Sequence, residues 1–231
     1  MIVRTLPETI QLVTQPDHAQ LAGRIMEECL PLAMHVRRAS ILLAAAEHDN
    51  GWIEEDAAPA VDAEGRVVDF VIAPLSVRHG VWPRAIARLA GDPWAAALVA
   101  QHAITVYDRF RVEPEWSTFF AEMEVARDAM VRASGLPLED LAADYPYVRL
   151  ADLISLTFCV GWTEPQRFQG FTVSRSASRI AVTPEIFAGK TIPMAVPTIA
   201  IPNQPYSSNA QLHAAIANGR SGVLDGEVLG R

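Results

Sequence analysis

Apolar residues recur every three or four positions through much of residues 15–160, the spacing of one face of an α-helix. Pro16 fits the first turn of such a helix, and Asp92-Pro93 is typical of a capped helix start. Asn50-Gly51 and Gly135 mark helix ends. The pattern predicts helices over about 16–30, 32–48, 81–90, 93–110 and 114–134, and a last long helix, opened or kinked at Pro146, before Trp162.

Two segments have β character instead. Residues 2–6 and 10–14 are short β-prone runs separated by a turn, which predicts an N-terminal hairpin. Residues 168–203 contain β-branched runs broken by prolines, and the glycine-rich tail 219–231 is expected to fray. We therefore predict a mainly α fold with an N-terminal β-hairpin and a small C-terminal β-containing segment. The helical domain would span 1–165, and the β-like extension 166–231 would pack on it.

Composition narrows the functional classes. The chain has 231 residues, 50% of them hydrophobic, which is enough to bury a full core. Its 19 basic and 27 acidic residues give a formal net charge of −8, so a nucleic-acid partner is not expected. The N-terminal residues lack a signal-peptide layout and no apolar run approaches a membrane span, so we expect a cytoplasmic protein without a membrane partner. A homodimer is compatible with these features.

Four polar residues share helix faces with apolar residues. His18 lies on the stripe of Leu21 and Ile25, and His48 continues a stripe of alanines and Ile41. His102 and Asp152 occupy similar positions on later helices. A single histidine on an apolar face is more often a hydrogen-bonded core residue than a ligand.

A buried aspartate is harder to explain without a cation, because an unpaired buried carboxylate costs several kcal/mol. Histidines and aspartates that face one interior can share one or two divalent ions, either a transition metal (Mn, Fe, Zn, Ni or Co) or Mg. Asp49 follows His48 at the predicted helix end, where the chain unwinds and adjacent side chains can turn toward one point. We therefore predict metal ligands at His18, His48, Asp49 and Asp152.

The order His18, His48-Asp49, Asp152 on successive helices resembles the ligand signature of the HD-domain superfamily, a phosphodiesterase-like helical fold of metal-dependent phosphohydrolases. The chain also resembles an uncharacterised bacterial family of that superfamily. The matching segments cover most of residues 1–160 and include 15–18, 48–52, 69–70, 92–93, 98–102 and 151–156. Dinuclear members place extra histidines between the pair and the last aspartate, where this chain has His102 and, in a loop-like stretch, His79.

The resemblance implies hydrolysis of a small anionic phosphoester, with a nucleotide as one candidate. Asp49 would act as ligand and proton acceptor, and His102 would bind a second ion or donate a proton to the substrate. Arg37 on the His48 helix and Arg84 after the acidic loop are candidate substrate-binding cations, although each fits an ordinary solvated arginine equally well. Trp52 is either a pocket wall or a core anchor.

Two other functions remain open from the sequence. A non-haem di-iron oxygenase on the same fold would need a second ion, and so His102 with a further histidine such as His79. A non-catalytic binding module would keep the metal for stability alone.

Overall fold

The computed structural model describes residues 1–230. The N-terminal part contains strands β1 (Ile2–Thr5) and β2 (Thr9–Val13), followed by a series of helices. These are α1 (Gln15–Glu27), α2 (Arg38–Glu47), α3 (Ile53–Ala57), α4 (Leu75–Arg88), α5 (Pro93–Tyr107), α6 (Ser117–Ser134) and α7 (Leu138–Leu156). The C-terminal part contains β3 (Gln166–Phe168), β4 (Phe171–Ser176), β5 (Arg179–Thr183), β6 (Thr191–Pro202), α8 (Asn209–Ala217) and β7 (Arg220–Leu229).

Local capping explains where the helices that matter for the site begin and end. The Thr14 hydroxyl accepts a hydrogen bond from the backbone N–H of Asp17 at the start of α1. Asp92 caps α5 in the same way through the N–H of Ala95. Helix α6 ends at Gly135, whose φ of +70° is a left-handed conformation that glycine adopts without steric cost. The predicted boundaries at these three points are confirmed.

All seven strands belong to one mixed sheet, in the order β1-β2-β6-β7-β5-β4-β3. The β5–β7 pair is parallel and the other pairs are antiparallel. Strand β6 alternates buried and exposed residues, and helix α1 packs against it. Helices α1, α2 and α7 also contact one another, and α5 contacts α2 and α7. The helices that carry the predicted ligands therefore lie in a helical layer that rests on the sheet.

The predicted fold class, mainly α with a small C-terminal β segment, is wrong. The chain is 52% helical and 20% strand, and its seven-stranded sheet makes it an α/β protein. The N-terminal hairpin is present, but β2 pairs with β6, so the hairpin forms one edge of the large sheet. The glycine-rich tail does not fray within the described residues, since 220–229 form β7 between β6 and β5. No helix within residues 1–230 is long and apolar enough to span a membrane.

Candidate metal centre

Five polar side chains from four helical segments meet at one buried point. His18 lies in α1, His102 in α5 and Asp152 in α7, while His48 caps the end of α2 and Asp49 follows it. Each of the five residues is less than one tenth exposed. The ring centroids of His18 and His102 each lie 5.0 Å from that of His48. The sequence-predicted ligands are therefore brought together, and His102 joins them.

Each histidine uses its Nδ1 atom for a contact outside the centre. His48 Nδ1 lies 2.9 Å from the Ala45 carbonyl oxygen, which can only accept, so this nitrogen carries the proton. His18 Nδ1 lies 2.8 Å from the Ser155 hydroxyl, and His102 Nδ1 lies 3.2 Å from the Tyr145 hydroxyl. Such contacts orient metal-binding histidines and leave Nε2 for the ion.

The Nε2 atoms face the two carboxylates. His18 Nε2 lies 2.8 Å from Asp49 Oδ2, and His48 Nε2 lies 3.5 Å from oxygens of both Asp49 and Asp152. His102 Nε2 lies 3.5 Å from Asp152 Oδ2. His48 Nε2 is fully buried and makes no hydrogen bond within the described residues.

His18 Nε2 lies at hydrogen-bond distance from Asp49, but the other three separations fit a bound ion better than direct hydrogen bonds. A good N–H···O bond spans about 2.7–3.2 Å, shorter than the three contacts at 3.5 Å. Two ligand atoms each about 2.1 Å from one ion lie about 3.0 Å apart at a right angle and about 3.4 Å apart at the tetrahedral angle. Two overlapping groups, His18-His48-Asp49 and His48-His102-Asp152, each bring one atom per residue within 4.8 Å of the others. The buried His and Asp residues could therefore hold a metal ion.

The two carboxylates control the protonation of the neighbouring groups. Burial alone would lower the pKa of His48, but the charges of Asp49 and Asp152 outweigh it and raise the pKa to about 9. Burial dominates at His102 and lowers its pKa to about 3. Burial opposes ionisation of both aspartates, yet His48 and His18 lower the pKa of Asp49, and Arg149 and His48 lower that of Asp152.

Two glycines allow close packing of the segments around the centre. A Cβ on Gly23 of α1 would lie 2.6 Å from the Cβ of Ala46 in α2. A Cβ on Gly51, two residues after Asp49, would lie 1.9 Å from the carbonyl oxygen of Val81 in α4. Neither position has room for a side chain, so glycine sets the distance between these segments.

A pocket of about 380 Å³ adjoins the centre. Asp49, His102 and Asp152 line it, so the candidate metal site is open to a small molecule. Its other lining residues are mostly aromatic or basic, and they include Trp52, Trp82, Tyr107, Trp162, Arg78, Arg109 and Arg149. Of the two readings of Trp52, the structure has it on the pocket wall, although almost fully buried.

The predicted substrate cations Arg37 and Arg84 lie outside this pocket. Arg37 contacts Asp144 with N–O distances of 2.5 and 3.0 Å and Asp140 with 2.9 Å. It precedes α2 whereas His48 follows it, a helical separation of about 16 Å at 1.5 Å per residue. Arg84 donates to the Gly51 carbonyl and to Glu55, and neither arginine lines the pocket.

The pocket cations that sequence reasoning missed are Arg109 and Arg149. Arg149 donates to Asp152, three residues later on the same face of α7, a spacing that could have identified it. Arg109 follows the end of α5 and carries no such signal. His79 lies outside the centre, within α4, where its ring packs against Trp116 and Phe119 at centroid distances of 4.6 and 4.9 Å.

Comparison with known proteins gives one match. Residues 1–203 match the family described as "Protein of unknown function (DUF3891)". The chain belongs to this family. No curated protein and no solved structure matches this chain. The description of DUF3891 states no reaction, so the function has to be argued from the site itself.

Proposed function

We propose that this DUF3891 protein is a metal-dependent phosphohydrolase acting on a small phosphoester, with a nucleotide as one candidate. The observation that carries the proposal is the buried, unpartnered Nε2 of His48, 3.5 Å from carboxylate oxygens of Asp49 and Asp152. The adjoining pocket supports an anionic substrate because three arginines line it. Its aromatic residues support a substrate with apolar or ring atoms.

The donor set supports a transition metal. Three imidazoles with two carboxylates suit Mn, Fe, Zn, Ni or Co better than Mg, which prefers oxygen ligands. We propose a single ion, because His48 belongs to both groups that could share one and has only one ring nitrogen free. Arg149 already donates to Asp152, so its guanidinium supplies positive charge on the side where a second ion would bind.

A bound divalent ion lowers the pKa of a coordinated water and neutralises charge on a phosphoryl group. In the proposed reaction, Asp49 remains ionised because its pKa is lowered, and it accepts the proton of the attacking water. Arg149 orients the phosphoryl oxygens. Since His102 stays neutral with its pKa near 3, it serves as a ligand rather than as the proton donor considered from the sequence.

We also propose that the helices around the centre are related to the HD-domain superfamily, on the basis of the order of the candidate ligands along α1, α2, α5 and α7. The di-iron oxygenase alternative requires a second ion. Within residues 1–230, the two groups that could share an ion overlap at His48, and His79 is not among them. No observation favours that alternative.

Elemental analysis and turnover assays test the proposal. We expect about one transition-metal ion per chain, and phosphate release from a phosphoester panel supplied with Mn, Co, Ni, Zn or Mg. Asp49→Asn should lower kcat/KM at least about 100-fold. The matched control Asp108→Asn removes an exposed carboxylate paired with Arg111 and should not change it. Metal-loaded protein that hydrolyses no phosphoester would contradict the hydrolase, and metal binding without turnover would favour the non-catalytic module.

A further inference from the structure

Two arginines in the pocket have no carboxylate partner. Within residues 1–230, no Asp or Glu oxygen forms an ion pair with Arg78 or Arg109. The third arginine, Arg149, is already paired with Asp152 at the metal centre. In a chain of net charge −8, two unpaired guanidiniums on one pocket indicate a place for an anion.

Aromatic rings hold both guanidiniums. The Arg78 guanidinium carbon lies 5.8 Å from the ring centroid of Phe110 and 5.2 Å from that of Trp116. The Arg109 carbon lies 4.6 Å from the same Phe110 ring. Stacking on aromatic faces limits the motion of an arginine side chain and leaves its edge N–H groups available to donate. Arg78 and Arg109 therefore form one pre-positioned pair around Phe110.

Buried donors in the same pocket also lack acceptors. The Nε atom of Arg78 is buried and makes no hydrogen bond within the described residues. Trp82 is 3% exposed, lines the pocket and has a buried Nε1 without a partner. Buried donors are nearly always paired in folded proteins, so these two point to a ligand that brings acceptor atoms.

The net charge of the pocket also supports an anionic ligand. A divalent ion on Asp49 and Asp152 would balance their two negative charges. The three positive charges of the pocket arginines would then remain unbalanced. A phosphomonoester carries about −1.5 to −2 near neutral pH, so about one positive charge stays unbalanced. A carboxylate on the ligand would balance it, and a second phosphate would more than balance it.

We infer that the ligand of this pocket is a compact molecule with two anionic groups, one at the metal centre with Arg149 and one on the Arg78–Arg109 pair. The inference rests on the proposed function for the identity of the first group, the phosphoester. The pocket volume of about 380 Å³ limits the ligand to a small molecule. Trp52, Trp82 and Tyr107 would contact the part of the ligand between its two charged ends.

Calorimetric titration with non-hydrolysable phosphonates tests this inference without turnover. The probes are phenylphosphonate, its 3- and 4-carboxy derivatives and 1,4-phenylenediphosphonate, each added to Mn-loaded protein. We expect at least one two-anion probe to bind about 10- to 100-fold more tightly than phenylphosphonate, the range for an added hydrogen-bonded charge. The carboxylates and the diphosphonate show which second group is preferred.

Variants assign the effect to the arginine pair. Arg78→Met and Arg109→Met should each reduce the preference to less than about 3-fold. Arg109 is exposed, so its variant should fold even if Arg78→Met does not. The matched control Arg66→Met removes an exposed arginine paired with Asp62 and should keep the full preference.

The outcomes separate this inference from the proposed function. A clear preference for a two-anion probe, in a protein that hydrolyses no phosphoester, would support the inference and contradict the hydrolase. The inference is wrong if every two-anion probe binds no more tightly than phenylphosphonate, or if none binds at millimolar concentration. It is also wrong if the preference survives in the arginine variants.

Discussion

Helices α1 and α2, which carry His18 and His48, cross where Gly23 meets Ala46. A Cβ on Gly23 would lie 2.6 Å from the Cβ and 3.0 Å from the Cα of Ala46, whereas carbon atoms pack at about 3.5–4.0 Å. Gly23→Ala must therefore move the two helices apart by roughly 1 Å. Neither clashing atom can rotate away, because both are fixed to the backbone.

Two effects of opposite sign decide the stability of Gly23→Ala. Replacing glycine by alanine inside a helix stabilises it by about 1 kcal/mol. Overpacking typically costs about 1–3 kcal/mol, and this rigid contact belongs in the upper part of that range. We expect a net loss of about 1–2 kcal/mol, which lowers Tm by roughly 2–8 °C for a protein of this size.

Gly80→Ala is the matched control, since it lies inside α4 with only the Nη1 atom of Arg84 within 4 Å, at 3.7 Å. It should gain up to about 1 kcal/mol. Thermal unfolding of chelated protein and metal titration measure both variants. Gly23→Ala should also weaken metal binding, because His18 moves relative to Asp49. A Gly23→Ala protein that is as stable as wild type and binds metal equally well would refute the reasoning.

Four further results are expected. Arg37→Met should lower Tm without changing KM, since this arginine pairs with the buried Asp144 and the partly exposed Asp140 outside the pocket; a raised KM would contradict this. Chelation should lower the Tm of wild type but not that of Asp152→Ala, because removing metal that had been at 100 Kd lowers the free energy of unfolding by about 2.7 kcal/mol. The folded-state pKa of His48 is raised to about 9, because the neighbouring aspartates outweigh the lowering effect of burial. The contribution of protonated His48 to the free energy of unfolding is thus complete below about pH 6.5 and lost as pH rises through about 9. The Tm of chelated protein should therefore fall across that window, while metal affinity rises because His48 loses its proton. Tyr145→Phe removes the Nδ1 partner of His102 and should weaken metal binding at least about 10-fold, as measured by competition with a chelator.

The buried polar residues of the centre could be predicted from the sequence because burial follows helix periodicity. Each of His18, His48, His102 and Asp152 shares a face with apolar residues, and the structure buries all four. The prediction for Asp49 depended on its position at a helix end, and Asp49 does lie directly after the residue that ends α2. Periodicity reports which face is buried, which is why it found these residues.

Among the pocket arginines that were missed, helix spacing could have identified Arg149, three residues before Asp152, but not Arg109. Arg37 shares a chain segment with His48, but a helix lies between them. Arg149 and Arg109 reach the pocket through packing among α5, α7 and the turn after α5, which depends on contacts between distant residues. Two residues at opposite ends of one helix are close in sequence but far apart in space, so sequence proximity to His48 did not place Arg37 at the pocket.

The size of the sheet was missed because proline obscures strand patterns. Pro193 and Pro197 lie in the part of β6 that pairs with β7 alone, while β2 pairs with the later residues 199–202. Proline lacks an N–H and is tolerated where one side of a strand has no neighbour. The prolines therefore interrupted the sequence pattern without interrupting the strand.

The pairing of β2 with β6 has a consequence for how the chain folds. Thr9 pairs with Pro202, so the chain must be synthesised as far as residue 202 before the N-terminal hairpin can pair with β6. Such long-range contacts slow folding and leave the edge of β2 unpaired while the chain emerges from the ribosome. A fragment of residues 1–165 would contain all five polar residues of the centre and would still expose that edge, which makes it prone to aggregate.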